Sequence, residues 1–119
     1  MPRDWESRFR EFLRSRVPGQ YWGRIDEFMS FISELVSRVN AESGDARVRH
    51  ARTLNVLLRD FDGSVGDRAK LNAFLAFLVL KGYAAIGELD KAGLAVSGSI
   101  YIWLRFYREL LGVAQPINH

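Results

Sequence analysis

Between Ile25 and Val39 the apolar residues Ile25, Phe28, Met29, Ile32, Leu35, Val36 and Val39 recur at the three- and four-residue spacing of one helix face. The same period holds along almost the whole chain, and no stretch alternates strictly between apolar and polar positions as a half-buried strand would. The pattern predicts an all-α fold. A first helix spans about Asp4 to Val17, with Trp5, Phe9, Phe12 and Leu13 on one stripe, and Pro18-Gly19 ends it. The second runs from about Gln20 to Asn40. After the turn Ala41–Asp45, with Asp45 as its cap, a third helix covers about Ala46 to Phe61 and directs Leu54, Leu57, Leu58 and Phe61 inward. Asp67 caps a fourth helix, about Arg68 to Lys81, which is apolar nearly all round and therefore belongs at the centre; Gly82 terminates it. A short helix fits Gly87 to Ala92. The last, capped by Ser97 or Ser99, ends at about Leu111.

These segments predict an orthogonal bundle of five to six helices around the buried helix at about 68–81, a single domain over 1–119 with 114–119 as a frayed tail. With 48% hydrophobic residues the chain can bury a core of its own. The absence of cysteine excludes disulfides, thiolate nucleophiles and cysteine-ligated metals. The apolar run from Ala73 to Leu80 is too short for a membrane span, and no leader pattern precedes it, so a soluble, cytoplasmic protein without membrane contact is expected.

Candidate chemistry is sparse. His50 and His119 lack a metal-binding spacing, and His50 falls on the inward side of the third helix with Leu54 and Leu57, where a structural histidine is expected. The loop Asp60–Asp67 lacks both the ligand alternation and the closing glutamate of a helix–loop–helix calcium site. No catalytic residue, metal ligand or cofactor is predicted, and the chain is read as a non-enzyme.

The basic residues change the picture more. All but three of the 17 are arginine, and the net charge is +3. Arginine's planar fork suits phosphate and carboxylate, although a G+C-rich coding sequence produces the same bias. Three rows stand out: Arg3, Arg10 and Arg14 on the first helix; Arg49, Arg52 and Arg59 on the third, beside Asn55; and Tyr101, Arg105 and Arg108 on the last. On the last helix Ile100, Trp103, Leu104, Tyr107 and Leu111 form the inward stripe. Tyrosine beside arginine can stack on a nucleic acid while guanidinium groups hold phosphates. Phe31 and Phe106, with Ile102, lie off the main stripes, so cover from a long loop or a second chain, as in a homodimer, is also expected.

The stretches "FREFLRSRV", "YWGRIDEFMSFISEL", "DRAKLNAFLAFLVLKG" and "GLAVSGSIYIWLRFYRELLGVAQPIN" together resemble the N-terminal core-binding, SAM-like helical domain of tyrosine recombinases and integrases. The resemblance covers most of the chain and rests on hydrophobic pattern. It implies a non-catalytic module that clamps DNA, more than RNA, through basic helices. Residues 41–61 add a helix to that pattern, and these 119 residues carry none of the recombinase catalytic arginines, histidine and tyrosine, so a module without recombinase activity, or a fragment, is expected. In size, basicity and lack of cysteine the chain also resembles small helical subunits of CRISPR effector complexes, which implies a protein-interaction subunit.

Overall fold

From Leu71 to Leu80 the only polar residue is Asn72, so a helix through this segment has no face to give to water. In the computed structural model it is α4 (Val65–Leu80), and every residue from Asn72 to Leu78 is buried. The structure describes residues 2–63, 65–94 and 98–112; the predicted tail at 114–119 and the candidate cap Ser97 lie outside them. Around α4 stand α1 (Pro2–Arg16), a 3-10 turn (Gly19–Arg24), α2 (Ile25–Ala41), α3 (Gly44–Leu58), α5 (Ile86–Lys91) and α6 (Ser99–Leu111). Among the described residues there is no strand, and the architecture is an all-α bundle. No helix is long and apolar enough to cross a membrane, among the described residues.

α6 packs along α4 most extensively, α3 lies on α4 as well, and α2 closes against both α3 and α6. The core is unusually aromatic. Phe9 meets Trp5, Phe12, Phe28 and Phe61, and Phe28 passes the contact to Phe74 and Phe77. From there it continues through Phe31 and Tyr107 to Trp103 and Phe106. Each such pair adds roughly 0.5–1.5 kcal/mol beyond its buried area, which ties α1, α2, α4 and α6 into one core. Tyr107 is fully buried, and its hydroxyl donates to the Ala73 carbonyl on α4 at 2.6 Å.

Several boundaries differ from the sequence expectation, each for a local reason. Instead of one helix from Gln20, a 3-10 turn precedes α2. Gly19 and Gly23 disfavour a full α-turn there, and the Trp22 indole N–H donates to Val17 O at 2.9 Å, holding the turn against the end of α1. α3 stops at Leu58 rather than Phe61 because Phe61 folds back to reach Phe9 at 5.5 Å and Phe12 at 5.0 Å. Leu58, expected inside, is then left 39% exposed. Asp45 and Asp67 occupy the first turns of α3 and α4 rather than the caps. Asp67 instead accepts from the amides of Asp62 (3.2 Å) and Gly63 (2.8 Å), closing the α3–α4 loop. Gly82, with φ +78°, ends α4 as expected, and the Tyr83 amide reaches back to Leu78 O at 2.8 Å.

The outward placement of Phe31 and Phe106 is corrected. Phe31 packs on Phe77 and Tyr107, and Phe106 on His50, Trp103 and Tyr107, so helices of the same chain supply their cover. On α6 the inward stripe ends at buried Leu110, with Leu111 only half-buried.

Candidate nucleic-acid interface

The three predicted arginine rows meet different fates. On α1 the row is broken: Arg10 is engaged by Asp26 at 2.8 Å and by Glu6 at 3.8 Å, so it fastens α1 to the start of α2. Arg14 stays exposed, while Arg3 belongs to α1 but its side chain lies outside what the structure describes. Arg59 falls one residue past the end of α3, ten residues from Arg49, and so leaves the row it was assigned to. Ten residues of helix correspond to about 15 Å, too far for one local site.

The remaining α3 and α6 residues come together. Arg49, Arg52 and Thr53 follow the i, i+3, i+4 spacing on α3; Ile102, Arg105, Phe106 and Glu109 follow i, i+3, i+4, i+7 on α6. Both helices turn their buried stripes to the core, which leaves these two rows facing across a shared cleft. The cleft has a volume of about 300 Å³ and is lined by Arg49, Arg52 and Arg105 among others, with Phe106 and His50 in ring contact at 5.7 Å. A second concavity, about 580 Å³, adjoins it on the outer side of α3 between Arg47, Val48, Ala51, Arg52 and Asn55. Arg52 borders both, so the basic surface is continuous. Tyr101 is exposed at the start of α6, and Arg108, half-buried, sits on the same helix face about two turns further along.

The charge of this surface is not internally cancelled. Among the described residues no carboxylate lies within 4.0 Å of Arg47, Arg49, Arg52 or Arg105. Elsewhere Arg8, Arg10, Arg24 and Arg38 each pair with an acid. Glu109 is the one acid lining the cleft. Glu42, just past the end of α2, is engaged by His50, whose Nδ1 lies 2.7 Å from its carboxylate. The expected structural histidine is thus buried and paired, but its Nε2 has no partner among the described residues.

Arg47 and the pairing of Glu42 with His50 were missed by the sequence reading. The only signal for Arg47 was its place in the run "ARVRHAR", where a helical wheel puts it apart from Arg49 and Arg52.

Other polar clusters are internally satisfied. Tyr83 donates to Glu27 at 2.6 Å beneath the Arg24 guanidinium, 3.7 Å above the ring, and this bond to Glu27 raises the phenol above its ordinary value. Glu88 accepts from the Ala85 amide and from Tyr21, anchoring α5 to the 3-10 turn. Lys70 is buried over the Phe61 ring, and burial lowers its amine while Asp67 and Asp62 oppose that shift. No group of three or more His, Asp and Glu able to hold a metal occurs among the described residues.

Compared with known protein families, curated proteins and solved structures, the chain matches none.

Proposed function

We propose that this protein is a non-catalytic nucleic-acid-binding module acting in the cytoplasm, and that it grips the phosphate backbone with Arg49, Arg52 and Arg105. Arg47, Tyr101 and Arg108 extend the contact on either side. The observation that carries this reading is the convergence of three arginines from two helices in one cleft, without the acidic partners that Arg8, Arg10, Arg24 and Arg38 have. Contacts of this kind position a backbone and do not read sequence. The resemblance to recombinase core-binding domains favours DNA over RNA.

Titration of labelled duplex and single-stranded oligonucleotides tests the proposal. Three to four arginine–phosphate contacts predict a log–log salt slope of about −3 to −4, so raising salt from about 50 to about 200 mM weakens binding roughly a hundredfold. R105A should flatten that slope by about one, and the triple change R49A/R52A/R105A should abolish binding. R10A, which touches an already paired arginine, should leave it unchanged. No binding of the wild-type protein at low salt overturns the proposal.

A second reading, an interaction subunit of a larger assembly or a homodimer, draws on Val48 and Ile102. They are 55% and 57% exposed beside the same arginines. It predicts a defined protein complex and no salt-dependent oligonucleotide binding.

A further inference from the structure

Only Glu42 and Ser43 separate α2 from α3, and Gly44, with φ +69°, lets the chain double back. This hairpin brings the carboxylate at the end of α2 to the His50 ring in the second turn of α3, 2.7 Å from Nδ1. An ionised carboxylate only accepts, so the proton of the neutral ring stays on Nδ1 and Nε2 keeps a lone pair. His50 is 8% exposed, and Nε2 finds no protein partner among the described residues. An unpartnered buried nitrogen costs stability, so packing alone does not explain an imidazole here.

The groups around the ring fix what a second proton would meet. From the end of α2 it faces Glu42. From its own helix it shares the cleft with Arg49 and Arg52, and from α6 with Arg105 and Glu109. α4, which underlies both helices, contributes no side chain to the cleft lining. The ring thus lies among two carboxylates, Glu42 and Glu109, and three guanidinium groups. An anion held by the arginines offsets their positive charge near the ring and brings a negative charge of its own.

We propose that a phosphodiester anion bound in the α3–α6 cleft and a proton on His50 stabilise each other, so that His50 becomes a fourth cation of the occupied site. The proposal rests on the nucleic-acid reading above. The ligand favours the protonated ring, so affinity is highest at low pH and falls, as pH rises, to a plateau held by the arginines alone. Linkage makes the effect reciprocal: bound anion makes the ring harder to deprotonate by the same factor. A coupling of about one pH unit corresponds to about tenfold in affinity.

An oligothymidylate with hydroxyl ends is the probe, because neither its bases nor its termini titrate near neutrality. Calorimetric titration in two buffers of different protonation enthalpy should show uptake of a fraction of a proton per site. Affinity should be about five- to tenfold higher near pH 6 than near pH 8. H50Q should bind with no proton uptake and with pH-independent affinity. Because H50Q can perturb packing, NMR titration of the His50 ring in an H119Q background, where it is the only histidine, gives an independent readout. Its midpoint should rise when the oligonucleotide is bound. Binding without uptake, or an unmoved midpoint, overturns this inference and leaves the nucleic-acid reading standing. No binding at all overturns both.

Discussion

Replacing Tyr107 with Phe removes one oxygen from the centre of the protein and leaves the ring in place against Phe31, Trp103 and Phe106. The lost bond is the 2.6 Å donation to Ala73 O, a carbonyl inside α4 that also accepts from its own helix four residues on. Nothing is orphaned, so the cost at neutral pH is that of a net hydrogen bond, about 1–1.5 kcal/mol, or a drop in Tm of about 4–6 °C. Burial also holds the Tyr107 phenol well above its ordinary value of 10. The folded protein therefore keeps this proton where the unfolded chain has lost it, and stability is full below about pH 10 and falls as pH rises further. At about pH 11 ionisation of the unfolded tyrosine removes roughly 1.4 kcal/mol from the wild type and nothing from Y107F. The difference between the two should shrink to near zero and then change sign. Urea unfolding followed by far-UV circular dichroism across this range reads it directly, since Tyr21, Tyr83 and Tyr101 are present in both proteins and cancel. A difference that stays constant from about pH 8 to about pH 11, or a Y107F as stable as wild type at neutral pH, would refute the reasoning.

Phe9→Ala empties a position fully shielded from solvent where rings of α1, α2 and the α3–α4 loop meet, and should cost about 3–5 kcal/mol in urea unfolding, a large share of a typical total. Less than about 1 kcal/mol would mean that the cluster repacks. Asp67→Ala deletes two bonds to loop amides and should cost about 2–3 kcal/mol, with faster hydrogen exchange at Asp62 and Gly63 as its local signature. Lys70→Met keeps an unbranched chain, one atom shorter, at a side chain that is 1% exposed while removing a charge that burial disfavours; stability should hold or rise by about 1 kcal/mol, and a clear loss would show that the amine's contacts outweigh its desolvation.

Elements whose reasons are local could be read from the sequence. α4 declares itself by a run with one polar residue in ten, and Gly82 and Gly112 mark helix ends because each takes a left-handed backbone, at φ +78° and +71°. Phe31 could not be placed in this way, because what buries it is Phe77 and Tyr107, tens of residues further along the chain. Phe61 continues the helical period, yet its partners on α1 draw it out of the helix. The site divides likewise. Spacing puts Arg49 with Arg52, and Arg105 with Arg108, but a helical wheel is silent on which row of α3 faces which row of α6. It is equally silent on whether an arginine is already taken: Arg10 and Arg105 look alike in sequence, and Asp26, sixteen residues from Arg10, makes the difference.

The burial of α4 on every side also governs how this protein can change over time. A helix with no exposed middle offers nothing to a partner, so substitutions there are judged by fit alone. The rows on α3 and α6 that border the cleft are anchored to the same rigid support, yet share no residues with it. New side chains can be tried at the exposed positions of those rows, Arg49, Arg52, Ile102, Arg105 and Glu109, at little risk to folding, which makes the cleft rim the region where affinity can be retuned and α4 the region where variation is least tolerated.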